Sequence, residues 1–424
     1  MLFSPQTEIV VPLPLFASLF LGICVVLYGL LLAPSATLPT RTKQILSIPF
    51  LTTLLVLPVK FHSRVGGFDL ISSALGIAIW LRTLDLIWIT PLREGTDAYI
   101  SWDQLRQELW APMRRRPMGA SKKHDDEGDD DAKWRERTRS SWSLLPLLLL
   151  NYVCIDFLAC YLLTFSRADV VQMRESQLWR YYTFSAAGII SMTVEINMAL
   201  LWTQMVYTLW YEGGKFDPGI IHPYFATSLA DFWSQRWHQI FKITWMSIAF
   251  RPIRRLARTH LTPLLSHLLS RAHTNALELS LAVLAVFAVS GLMHEYMLFA
   301  CLYGLPAQYV PGEQLFFFSI HGVAVIVERF LAPLVSLWLG PKTRSILGWV
   351  YTMVFGMWTF PWFMDSFVRL ELPKLLCIDP QDALEHGPYR CPGVVDIARV
   401  PLTHPAAPAQ RHEDVVDLNV CEIV

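Results

Sequence analysis

Leu277–Leu302 reads LELSLAVLAVFAVSGLMHEYMLFACL, an apolar run with His294 deep inside it. A membrane-spanning helix needs about 20 apolar residues, so the run is long enough to cross a bilayer. An ionisable side chain at that depth is costly and by default marks a functional site. The alternative is a histidine bonded to a neighbouring helix or placed near the interface. The run by itself leaves both readings open, and the rest of the chain has to decide between them.

The apolar character extends well beyond this run. Of 424 residues, 53% are hydrophobic and 17% charged, and mean hydropathy is +0.37. Soluble domains average about 25% charged residues. The 16 tryptophans suit a protein with two membrane interfaces, where Trp concentrates. Apolar runs near Val10–Ala33, Leu46–Val59, Phe68–Ile89, Leu144–Phe165, Tyr182–Tyr207, Asn275–Leu302, Leu315–Leu339 and Ile346–Phe367 predict about eight transmembrane helices. The first lacks a basic n-region and outruns a signal-peptide core, so it reads as a span that stays in place. The second is short and reads as re-entrant or interfacial as readily as spanning. Arg82 and Asp85 stand at i,i+3 in the third, where they can pair. The fold class expected is an all-α, polytopic integral membrane protein. Irregular segments would surround a buried reaction chamber, because non-helical backbone survives at membrane depth only under protein or beside water.

Charge sets the expected topology. Pro91–Ser143 and Tyr211–His273 are rich in Arg and Lys, whereas Gly304–Gly312 has none. The positive-inside rule places the two basic loops in the cytosol. Residues 1–371 then form the membrane domain, with a hydrophilic cytosolic loop at 91–143, and 372–424 form a C-terminal tail. Lys122–Asp131, KKHDDEGDDD, is a solvated loop by composition. Net charge is zero, which gives no reason to expect nucleic acid. The cysteines (24, 154, 160, 301, 377, 391 and 421) are scattered with no CxxC pair. Neither a disulfide framework nor a metal site is indicated.

The second informative stretch is His222–Lys242, HPYFATSLADFWSQRWHQIFK. Ser228 and Asp231 make an S-x-x-D helix start. A helix from there places Trp233, Trp237 and Phe241 four residues apart on one face, with His238 beside the stripe. Arg236 and Lys242 add positive charge. Such a helix offers aromatics to lipid or ligand and cations to an anion, or is simply an amphipathic interfacial helix.

DFWSQRWHQIF (Asp231–Phe241), followed about fifty residues later by SGLMHEY (Ser290–Tyr296), resembles the wax synthase-like branch of the membrane-bound O-acyltransferase superfamily. The chain looks most like its fungal members that acetylate hydroxyl groups of terpenoids and meroterpenoids in secondary metabolite biosynthesis. The resemblance is strongest over 213–296; elsewhere only the hydropathy profile agrees. At the position of His238 the plant wax synthases carry Asn, so whether that side chain donates, accepts or orients stays open. The resemblance implies acetyl-CoA, or another acyl-CoA, as cosubstrate with no bound cofactor. It also implies a hydrophobic alcohol as acceptor, His294 as the catalytic histidine, and a place in the endoplasmic reticulum membrane.

The residue chemistry is compatible. An alcohol is a poor nucleophile near neutral pH, and a base about 3 Å away that takes its proton is worth 10²–10⁴ in rate. An oxyanion donor is worth roughly 3–4 kcal/mol. His238 is the candidate for that donor, or for positioning the acceptor. Trp233, Arg236, Trp237, Lys242, Ser290 and Glu295 are the candidate substrate-binding residues, with Arg236 and Lys242 suited to CoA phosphates. Ser290 shares a helix face with His294. It is a conceivable nucleophile, but equally a backbone-bonding or packing residue. Glu295 points about 100° away around the helix.

Other motifs fall away. His294-Glu295 opens an HExxH pattern, but Leu298 stands where the second ligand belongs. No His has Asp four positions on, and His124 with Asp129 lies in a run of acids. GxSxG, Walker A and GxGxxG are absent from the sequence. His321 and Glu328 lie on one face of the seventh run, as cavity-lining or helix-packing groups. Two other functions fit the same outline. One is a wax or sterol ester synthase using long-chain acyl-CoA. The other is a transporter lined by the intramembrane His294, Arg82, Asp85 and Glu195, although no internal repeat supports it.

Overall fold

Helix boundaries follow the prolines, glycines and polar clusters between the apolar runs. The computed structural model describes residues 9–62, 66–109, 141–210, 219–265, 267–268, 270–302 and 309–369. The loop 110–140 and the tail from 370, with the charge run and the last three cysteines, lie outside them. Helix α1 (Leu13–Leu32) begins behind Pro12 and ends at Ala33, which Pro34 forces out of the helical region. Helix α2 is Thr40–Lys60. Helix α3 (Gly66–Leu84) runs on through a π turn at Asp85–Ile89 and then Thr90–Glu94. It stops at Gly95, whose φ of 67° suits glycine. Helix α4 is Trp102–Leu109 and α5 is Ser141–Leu163. Helix α6 (Arg167–Ser176) opens with a reciprocal capping box of Ser166 and Asp169. The Ser166 hydroxyl and amide hold the Asp169 carboxyl below its usual range. Helix α7 is Leu178–Trp210, α8 is Arg271–Leu302, α9 is Glu313–Trp338 and α10 is Pro341–Arg369.

Among the described residues, seven helices are long and apolar enough to cross a membrane: α1, α2, α3 with its extension, α5, α7, α8 and α9. The fold is therefore the all-α polytopic one expected. Among the described residues the only β-strands are the short parallel pair of Ile9 with Phe61 and Val10 with His62. The eighth expected run is α10, 29 residues long but not among the seven.

Two expectations need correction. The second run is a full 21-residue helix, not a short re-entrant piece, because it begins at Thr40, before the apolar stretch. Lys43 is fully buried there; its ammonium donates to the carbonyls of Ala33 (2.5 Å) and Ala98 (2.6 Å). The second correction concerns 242–265, which is a helical rod interrupted by π turns at Met246–Phe250 and Ala257–Leu261. Its arginines hid it from a search for apolar runs.

Arg82 and Asp85 do pair, at 2.6 Å. Arg82 also grips both oxygens of Glu108 on α4 at 2.6 Å. Asp85 accepts from Ser247 of the rod at 2.6 Å, and Arg93 donates to the Ser247 carbonyl at 2.7 Å. The π turns in α3 and the rod are thereby bonded to each other. A buried charge survives only when its partners are supplied in this way.

Two apolar clusters hold the helices together. One joins α1, α2 and α3 around Leu27, Leu54 and Ile87. The other joins α8, α9 and α10 around Phe287, Phe317, Phe318 and Phe363. Helices α8 and α9 run antiparallel at close range, with Gly291 facing Leu315 and Gly322 facing Phe287. A Cβ at Gly291 would lie 2.8 Å from the Leu315 Cα. Gly291→Ala should therefore destabilise the protein by about 1–3 kcal/mol. A thermal unfolding scan in detergent should show a lowered midpoint, and an unchanged midpoint would mean the helices can part without cost.

Candidate active site

The aromatic-basic segment is held by three helices. Ser228 Oγ accepts from the Asp231 amide at 2.9 Å, the helix start expected from S-x-x-D. The amides of Leu229 and Ala230 donate to the two oxygens of Glu328 on α9, at 2.8 and 3.0 Å. Trp233 Nε1 donates to Nδ1 of His321, also on α9, at 3.1 Å. That bond fixes the imidazole tautomer: Nδ1 accepts, so Nε2 carries the proton and donates to Thr359 Oγ1 of α10 at 2.9 Å. Thr359 in turn donates to the Phe355 carbonyl at 2.8 Å. Tyr224 donates to Thr193 on α7 at 2.9 Å, and Trp349 on α10 donates to the Tyr224 carbonyl at 2.7 Å. His321 and Glu328 were legible as one helix face; their partners were not.

The expected continuous helix through Phe241 does not form. A π turn covers Phe232–Arg236, and Trp237 is extended at φ −79°, ψ 142°. The backbone instead pairs with residues far away in sequence. Ile221 N donates to Arg236 O at 2.9 Å and Gln239 N to Gly219 O at 3.0 Å. Gln239 Nε2 satisfies the Trp237 carbonyl at 2.5 Å. The aromatic stripe is consequently split. Trp233 points into the α8–α9 core against Phe287 and Phe318, at 5.7 and 5.6 Å between ring centres. Trp237 is buried and stacks on Phe232 at 5.5 Å. Phe241 packs with Trp245 against Met293.

This break sets His238 against Phe241, which packs on Met293, the neighbour of His294. His238 lies between Trp237 and Phe241, at 5.3 and 6.1 Å between ring centres, and within electrostatic range of His294. Its Nδ1 is buried with no protein partner among the described residues. His294 packs on Phe318 at 4.4 Å and Phe363 at 5.8 Å. Its Nδ1 lies 2.8 Å from the Ser290 carbonyl. A carbonyl can only accept, so Nδ1 carries the hydrogen and Nε2 keeps the lone pair. His294 thus presents its basic atom away from its own helix.

The remaining site candidates are placed as follows. Ser290 supplies that orienting carbonyl. Glu295 accepts from the amides of Gln314 and Leu315 at 2.7 and 3.1 Å and from Tyr309 Oη at 2.8 Å. It is a cap for the start of α9, a position that favours negative charge. Arg236 is paired with Asp231 at 2.6 Å and reaches the His222 carbonyl at 3.3 Å. Lys242 donates to the Ser234 carbonyl at 3.1 Å. The structure thus engages Arg236, Lys242 and Trp233 in holding the segment, and Glu295 in holding α9.

Residues 217–319 match the model of the membrane bound O-acyl transferase family. The matched stretch contains both histidines, the α9 cap and the start of α9. The chain is 28% identical over 186 residues to a probable long-chain-alcohol O-fatty-acyltransferase of Arabidopsis thaliana, covering 43% of this chain and 48% of that protein. It is 34% identical over 145 residues to the long-chain-alcohol O-fatty-acyltransferase of Simmondsia chinensis, covering 34% and 37%. An acyl-CoA–sterol O-acyltransferase of Arabidopsis thaliana is 29% identical over 148 residues, covering 34% and 38%. The chain spans about half or less of the length of these relatives.

The Glu328 bonds are charge-assisted, and such bonds are worth about 1.5–3 kcal/mol each. Glu328→Ala should raise hydrogen exchange at the Leu229 and Ala230 amides by about tenfold or more, with α1 unaffected. Unchanged exchange would show that something else holds the segment.

Proposed function

We propose that the chain is a membrane O-acyltransferase that moves an acyl group from acyl-CoA to the hydroxyl of a hydrophobic alcohol. The observation that carries this reading is the half-buried pair of imidazoles. His294 is oriented by its own helix so that Nε2 is basic, and His238 has a buried Nδ1 that no protein group uses among the described residues. Nε2 takes the alcohol proton as the oxygen bonds to the thioester carbonyl carbon. The tetrahedral intermediate then collapses, the C–S bond breaks, and the CoA sulfur leaves with the proton held on His294. His238 donates to the intermediate's oxyanion or positions the acceptor. The aromatic walls exclude water that would hydrolyse the thioester.

The acyl group we assign is acetyl, and the acceptor a terpenoid or meroterpenoid alcohol. The support is the resemblance of the His238 block to the fungal acetylating enzymes. The names of the plant relatives favour a second reading, a long-chain acyl-CoA and a wax or sterol ester product. The endoplasmic reticulum, with the basic loops in the cytosol, is the assigned location.

Microsomes carrying the chain should transfer labelled acyl groups to hydrophobic alcohols. His294→Ala should abolish transfer at normal expression, and undiminished turnover would reject the assigned base. His238→Ala should cost about 10²–10³ in kcat; an intact kcat with raised KM would make it an acceptor-binding residue instead. In the same preparation acetyl-CoA should outperform palmitoyl-CoA as donor, and the reverse order would establish the long-chain reading.

A further inference from the structure

A cavity of about 540 Å³ opens where the rod, α8 and α9 meet, lined by Arg254, Arg258, Arg271, Asn275, Leu279 and Arg329, among others. Its volume lies within the range of small-molecule pockets, about 300–1,000 Å³. Four guanidiniums from three elements share it. The Arg258–Glu278 pair, at 3.2 Å, neutralises one of them. The Arg254 Nε is buried with no hydrogen-bond partner among the described residues. Like charges gathered at one site repel, and a buried N–H donor without an acceptor costs stability. An anion with several acceptor oxygens removes both costs, and guanidinium is the side chain best matched to phosphate.

The pyrophosphate of the acyl donor does not fit this position. At about 1.5 Å rise per residue, Leu279 and Arg271 lie roughly 22 and 34 Å from His294 along α8. The arm between the CoA pyrophosphate and its sulfur has about a dozen bonds and extends to roughly 16 Å. A donor anchored here by its pyrophosphate would hold its thioester short of the imidazole. The surroundings suit a lipid better. From Arg329 toward the middle of the span, α9 presents the exposed Val327 and Val323, apolar surface for acyl chains that run inward from a headgroup. We propose that Arg254, Arg258, Arg271 and Arg329 bind the phosphate of an anionic phospholipid headgroup, at a site separate from the two histidines. Basic pockets between membrane helices recognise anionic headgroups by this charge pairing.

The test is native mass spectrometry of the full chain in detergent, titrated with phosphatidic acid or phosphatidylcholine, with coenzyme A as the soluble phosphate. Phosphatidic acid should bind at least about tenfold tighter than phosphatidylcholine. Arg254→Gln and, separately, the more exposed Arg329→Gln and Arg271→Gln should each lose about fivefold, with melting midpoints showing which variants stay folded. Coenzyme A should not displace the lipid. Equal affinity for the two lipids, or folded Arg329→Gln and Arg271→Gln proteins that keep the full preference, would overturn the site. Displacement by coenzyme A would overturn the lipid in favour of a soluble phosphate. Binding is read without turnover, so the result stands apart from the acyltransferase reading.

Discussion

Helix α9 clamps an irregular segment that has no regular structure of its own to rely on. Residues 219–241 contain π and 3₁₀ turns and an extended break, conformations that a chain in a hydrophobic setting adopts only if every freed backbone group finds a partner. Glu328 supplies two acceptors at the segment's start, and His321, two turns away along α9, receives the Trp233 indole. Without these bonds, the break at Trp237 that sets His238 near His294 would leave buried amides unsatisfied. The same helix is itself anchored by Glu295, the neighbour of His294, through the amides of Gln314 and Leu315. One sequence element, HE at 294–295, thus provides a candidate base with one residue and fixes the clamp with the next.

The order of energetic importance follows from burial. Trp233, with Phe287, Phe317 and Phe318 around it, is an aromatic core worth several kcal/mol on burial. The Glu328 and His321 bonds add less in total but decide geometry: Glu328 accepts from two amides that the segment's backbone leaves free, and His321 fixes the Trp233 indole. Packing brings the segment to α8 and α9, and hydrogen bonding fixes the break that sets His238 between Trp237 and Phe241.

Much of the fold was legible. The long apolar runs became helices with ends near the expected ones, and the i,i+3 pairing of Arg82 with Asp85 formed as spacing required. The rod at 242–265 was not visible, since Arg251, Arg254, Arg255 and Arg258 interrupt its hydropathy while α8 covers its other side. At the site, the Ser228 cap was readable because capping is local. The break at Trp237 was not, since its cause is Gly219 and Ile221, whose pairing with Gln239 and Arg236 leaves no periodic trace. Glu295, Arg236 and Lys242 are the candidate substrate-binding charges, and each is bonded to protein groups. Residue type says that a charge needs a partner, and only the fold says whether that partner is ligand or protein.

The most direct measurement is an experimental structure of the full chain with a non-reactive acyl-CoA analogue and an alcohol bound. The alcohol oxygen should lie within about 3 Å of His294 Nε2, with the thioester oxygen beside His238. A thioester bound away from both imidazoles, or His294 Nε2 turned to the lipid, would contradict the assignment.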